Sequence, residues 1–136
     1  MQFSQELNHA SYTIRSYSVG KISISAPIDR TLEQPEIPAE EVLTESFIMT
    51  PSRLIRNWPP QSVAEISADH LETAASLEPE ILILGTGVTL EFPDTQLTYA
   101  LMDQGIGVEV MDTAAACRTY NVLMHEGRNV ALALVM

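Results

Sequence analysis

GIGVEVMDTAAACRTYNVLMHEGRNVALALV, residues 105–135, reads as strand, helix and strand with almost no spare residues. Val108 and Val110 fall on one face and Glu109 on the other, the two-residue period of a strand. Asp112 or Thr113 then supplies an N-cap, because a short oxygen-bearing side chain can accept from the free amides of a helix's first turn. Ala116, Cys117, Tyr120, Leu123 and Met124 follow at i, i+1, i+4, i+7 and i+8, an apolar stripe of helical period. Gly127 ends that helix. Residues 130–135 close as a strand, with Val130, Leu132 and Leu134 on one face and the small Ala131 and Ala133 on the other, where a helix can lie close. The connection across Gly127 is so short that this strand is expected to run back along its own helix.

Upstream, the apolar run at residues 81–84 is too short for a helix after Pro79 and predicts a strand covered on both faces, ending in Gly85-Thr86-Gly87. A helical period returns from Asp94 or Thr95, with Leu97, Ala100 and Leu101 on one face and Gly105 as the stop. Before Pro79, Ser67 makes a good N-cap. Asp69 and Glu72 favour the positive end of that helix's dipole, and Ile66 and Leu71 stand where a hydrophobic staple would close. Strand and helix thus alternate from Ser67 onward, which predicts an α/β sheet with helices packed on it.

The N-terminal part reads as β. Residues 12–25, YTIRSYSVGKISIS, predict a hairpin turned at Gly20-Lys21, with Ile14, Ser16 and Ser18 alternating against Thr13, Arg15, Tyr17 and Val19. Leu43, Phe47 and Met49 sit at even spacing in a third strand stopped by Thr50-Pro51, and residues 53–58 offer a fourth before Pro59-Pro60. Together they form a β-meander. Residues 1–10 are polar and unpatterned, so disorder is expected there; residues 29–41, with Pro35, Pro38 and five acids, read as an exposed loop. The 136 residues suit a single α/β domain over residues 11–136.

The net charge of −11 is unevenly placed: between Asn57 and Cys117 there are ten acids and no Lys or Arg. Binding a phosphate backbone or an anionic lipid surface needs clustered cations, so nucleic acid and membrane surface are not expected partners. No apolar run approaches the roughly 18 residues that cross a bilayer. The N-terminal residues lack the basic and apolar regions of a targeting signal, and the single cysteine suits a reducing compartment. A cytoplasmic location is the expectation.

The run PEILILGTG at residues 79–87, together with VEVMDT, CRTYN and EGR in that order within residues 105–134, resembles a family of small proteins of unknown biochemical function. That family includes the mitochondrial respiratory complex I assembly factor and the adipogenesis-associated domain-containing protein. The resemblance covers residues from about Trp58 onward. It implies a three-layer α/β fold with a central mixed five-stranded sheet, one strand antiparallel to the rest. It implies no reaction; the role attested in the family is non-catalytic help in assembling a large respiratory complex.

Each chemically suggestive residue has a simpler account. Gly85-Thr86-Gly87 could begin a dinucleotide-binding turn, but Leu90 stands where the third glycine belongs, and residues 88–93 separate the turn from the next helix. Asp112, as an N-cap, would itself fill the amides that a phosphate needs. Cys117 lies on the core-facing stripe and His125 is about 12 Å further along the axis, too far to act as its base. His9, His70 and His125 show no metal-ligand spacing. No catalytic set, cofactor or metal is expected.

Arg118, Asn121 and His125 fall at i, i+3 and i+7 on a polar stripe of the last helix, which reads most simply as a solvated face. Arg118 and Arg128 are the only cations after Arg56, and they either pair internally with Glu109, Asp112 or Glu126 or anchor something outside. The leading expectation is a non-enzymatic, assembly-factor-like module that holds a protein partner through Gly85, Thr86, Gly87, Asp112, Thr113, Arg118 and Asn121. The alternative is a small-molecule binder or enzyme using the crevice at the same strand ends, where open α/β sheets carry ligands. A third reading is a self-associating structural protein.

Overall fold

A computed structural model describes residues 11–28 and 39–136. The expectations for residues 1–10 and for most of the 29–41 loop lie outside the described residues. The chain opens with β1 (Thr13–Ser18), β2 (Lys21–Ser25) and β3 (Glu40–Leu43), an antiparallel sheet in the order β1-β2-β3. Gly20, with φ +78°, makes the hairpin turn expected there. The expected alternation along β1 fails at one point. Ile14 pairs with Ile24 and Ser16 with Ser23, which leaves Arg15 as the extra residue of a bulge. Tyr17, opposite Ile22, then joins Ile14 at the core in place of Ser16.

The single strand expected through Leu43, Phe47 and Met49 is two strands in two sheets. After β3 the chain crosses at residues 44–46 and β4 (Phe47–Met49) enters the larger sheet, where it pairs with β5 (Leu54–Ile55). Ser46 makes this crossing possible. It is 1% exposed, its hydroxyl accepts from Met136 N–H (2.8 Å), and its carbonyl accepts from Trp58 N–H (2.9 Å). A buried polar residue thus satisfied costs little, whereas an apolar side chain here would leave the Met136 N–H without its acceptor.

The remaining elements alternate as α1 (Ala68–Ala75), β6 (Ile81–Gly85), α2 (Thr95–Asp103), β7 (Gly107–Met111), α3 (Thr113–His125) and β8 (Val130–Leu134). Their starts follow from local chemistry. The Ser67 hydroxyl accepts from His70 N–H while Ser67 N–H donates to His70 Nδ1 (3.0 Å), a capping box with an imidazole as the returning acceptor. Asp94 and Asp112 cap α2 and α3 by accepting from Gln96 and Ala115.

The larger sheet has the order β5-β4-β8-β6-β7, with β8, β6 and β7 parallel and β4 antiparallel to both its neighbours. This is the three-layer α/β arrangement with a mixed five-stranded sheet. β8, at its centre, is buried along its whole length. Its Val130, Leu132 and Leu134 pack with Ile22, Ile24, Phe47 and Tyr120, so α3 and the β1-β2-β3 sheet cover one face. Ala131 and Ala133 pack on the other with Ala74 of α1, Leu101 of α2 and Trp58. Each large side chain so buried contributes about 1.5–3 kcal/mol, which makes this double-sided core the main source of stability.

Candidate functional site

The sheet delivers its chain turns to one end, where β6 runs into Gly85-Thr86-Gly87 and β7 runs into the start of α3. A Cβ on Gly85 would collide with the Leu134 side chain and stand 3.2 Å from Ala116, so glycine is what lets α3 lie against β6 and β8. Gly87 has φ +103°, a conformation that L side chains rarely adopt. Between them, Thr86 is 4% exposed; its N–H donates to Met111 C=O (3.0 Å) and its hydroxyl to Thr89 C=O (2.7 Å).

Thr113 binds this turn to the helix in both directions. Its N–H donates to Gly87 C=O and its hydroxyl accepts from Gly87 N–H, each at 2.9 Å. Asp112 accepts from Ala115 N–H at 2.9 Å, and its carbonyl accepts from Ala116 N–H. The first turn of α3 is therefore bonded to its own chain, which takes away the amides that would cradle a phosphate. Above the turn lies a crevice of about 290 Å³. Thr86, Gly87 and Thr113 form one wall, and Tyr17, Val19 and Met136 contribute apolar surface. Gly85 and Asp112 do not line it. Tyr17 comes from the end of β1 and Val19 from the turn after it, remote in sequence, and the only hint of them was an apolar residue at a hairpin tip.

The polar stripe of α3 divides into structural and free members. Asn121 is fastened to β1: its side-chain amide donates to Ile14 C=O (2.8 Å) and accepts Ile14 N–H (3.0 Å). It therefore does not belong to a solvated face. His125 Nδ1 lies 2.7 Å from Asn121 C=O, as a helix-terminal donor to the preceding turn. Tyr120, fully buried, donates its hydroxyl to Tyr12 C=O at 2.8 Å, and burial holds the phenol far above its ordinary pKa. Arg118 is exposed, and no ion pair or hydrogen bond joins it to the described residues. Neither Glu109, Asp112 nor Glu126 pairs with it. Arg128 instead pairs with Glu80 at 2.7 Å, and this contact, with the Asn129 N–H, holds the Glu80 carboxyl below its usual range.

Arg118 lines an open groove of about 370 Å³ between α3 and β1, shared with Arg15, Ser16, Ala114 and Cys117. The bulge at Arg15 brings a second cation to this groove, although Arg15 also stands 3.5 Å from Glu40. Cys117 is 3% exposed, and burial raises its thiol to about 12, against a smaller opposing pull from Arg118. A neutral thiol is a poor nucleophile. Among the described residues no three of His, Cys, Asp and Glu gather as metal ligands would, and no helix is long and apolar enough to cross a membrane.

Fold and site define a class: a three-layer α/β domain whose strand-end turn is bonded to its own helix. The chain belongs to the family described as protein of unknown function (DUF498/DUF598), whose model matches residues 14–135. It is similar to the human NADH dehydrogenase [ubiquinone] 1 alpha subcomplex assembly factor 3, at 41% identity over 80 residues, 57% of this chain and 44% of that protein. The chain thus spans less than half of that relative's length. It is also 32% identical over 73 residues to the 13 kDa major membrane protein of Francisella tularensis, covering 54% of this chain and 59% of that one. A crystal structure from Bordetella parapertussis superimposes with a TM-score of 0.77 at 35% identity, covering 93% of this chain and 96% of the other.

Proposed function

We propose that the chain is a non-enzymatic protein-binding module, assembly-factor-like in role, which holds its partner on the α3 face centred on Arg118. The observation that carries this reading is that Arg118 stands exposed and without an ion pair among the described residues, in a groove it shares with Arg15. A guanidinium held on a rigid helix beside a strand is suited to a carboxylate, which it can bind through two parallel hydrogen bonds. Gly85, Thr86, Gly87, Asp112 and Thr113 serve this surface by fixing the start of α3. The similarity to a protein named as an assembly factor supports a role in bringing other proteins together. The single cysteine, Cys117, suits a reducing compartment, and the cytoplasm is the location we propose.

The crevice above Thr86, Gly87 and Thr113 favours a second reading, a small-molecule binder. The two separate in one experiment. Crosslinking and pull-down from the native cell, with the natural chain and with Arg118→Ala, is expected to give a defined partner that the variant loses. Capture that ignores Arg118, with metabolites shifting the amide signals of Thr86 and Gly87, would instead favour the crevice.

A further inference from the structure

β7 is the outer strand of the larger sheet and pairs only with β6. In a parallel ladder, residues that bond one neighbour alternate with residues whose N–H and C=O point the other way. Gly107 N–H donates to Glu80 C=O (2.9 Å) and Met111 C=O accepts from Thr86 N–H (3.0 Å), so Gly107, Glu109 and Met111 turn their backbone toward β6. Val108 and Val110 therefore direct theirs outward, and no described residue takes them up.

Beside this free edge, on the α2 face, lies a groove of about 370 Å³ lined by Phe92, Thr98, Met102, Val108 and Val110. Phe92 is 71% exposed and Met102 52% exposed, large apolar side chains gathered along one strand edge. Glu109, between Val108 and Val110 on the strand, sends its side chain to the opposite face of the sheet; it is exposed and has no ion pair among the described residues. It also lies within the stretch from Asn57 to Cys117 that contains ten acids and no Lys or Arg, so no nearby cation in sequence neutralises it.

We propose that the β7 edge receives an extended segment of a protein partner in which apolar residues alternate with Lys or Arg. Main-chain bonds to Val108 and Val110 would add it to the sheet, and the two-residue period of a strand would send its side chains alternately to the two faces. The apolar set meets Phe92 and Met102; the basic set meets Glu109. A second copy of this chain fits worse, because it brings another Glu109 and another net charge of −11 to the same edge.

The test uses the full chain and a capped hexapeptide of alternating valine and lysine, read by amide shifts and hydrogen exchange. Exchange at Val108 and Val110 should slow about tenfold or more, with Ile14 unaffected because Asn121 already holds it. A valine and glutamate hexapeptide should do nothing. Glu109→Lys should weaken the lysine peptide about fivefold, the scale of one exposed ion pair. Val110→Pro, which removes an outward N–H and keeps the ladder to β6, should weaken it as well. Equal protection by the two peptides, or protection by neither, overturns the proposal. Protection that grows with protein concentration alone overturns it in favour of a second copy.

Discussion

At β1 the amide of Asn121 does for Ile14 what a further strand would do; at β7 no described residue does it for Val108 and Val110. The first edge is closed by a helix that also sends the Tyr120 hydroxyl to Tyr12 C=O, so β1, β2 and β3 are held on the core by side chains of α3. The second ends in exposed apolar and acidic side chains. The difference separates two kinds of polar residue on a single helix. Asn121 and Tyr120 are fasteners, whose removal should cost stability, whereas Arg118, one turn from Asn121, fastens nothing among the described residues.

The largest expected effect is on Cys117, which lies under the closed edge. Its thiol is raised from 9.0 to about 12 by burial, so at neutral pH the thiolate is about a thousandfold scarcer than in an unfolded chain. A raised folded pKa gives stability that is present below 9.0 and lost as pH climbs toward 12. Labelling by a thiol reagent should therefore proceed only as β1 opens or the chain unfolds. Rapid stoichiometric labelling of the native protein would mean that the β1 edge is not closed.

Next comes Asn121→Ala, which strips both bonds from a half-buried strand edge and should cost about 2–3 kcal/mol, read as a lower midpoint in urea. Exchange at Ile14 should then approach that at Val108, making the two edges alike. Tyr120→Phe removes one bond and should cost about 1 kcal/mol. A smaller effect lies away from both edges. Glu80, held below its ordinary 4.5 first by the Arg128 guanidinium and then by Asn129 N–H, stabilises the fold above that value, and this is lost as pH falls through the lowered one. Glu80→Gln should flatten the acid limb of a pH titration of stability; an unchanged limb would show that the pair contributes nothing.

What the sequence made legible was local. The caps at Ser67, Asp94 and Asp112 and the stops at Gly105 and Gly127 depend on residues within one turn, and each stands where its side chain or its freedom at positive φ requires. The split between β3 and β4 was not legible, because it depends on Ser46 meeting Met136 and Trp58, and the residues between Leu43 and Phe47 carry no breaker. The role of Asn121 was hidden for the same reason, since its partner Ile14 is 107 positions away. The Gly85-Thr86-Gly87 turn was legible as a turn. That Thr113 would close it from both sides needed the parallel register of β6 and β7.

The most direct test of the account is Arg118→Ala, followed in parallel by urea unfolding and by partner capture. Stability should stay within about 0.5 kcal/mol, as for an exposed side chain with no internal partner. Binding to the captured partner should weaken by about 2 kcal/mol or more, the loss expected when an interfacial anchor is truncated. A folded Arg118→Ala protein that captures its partner as well as the natural chain would contradict it.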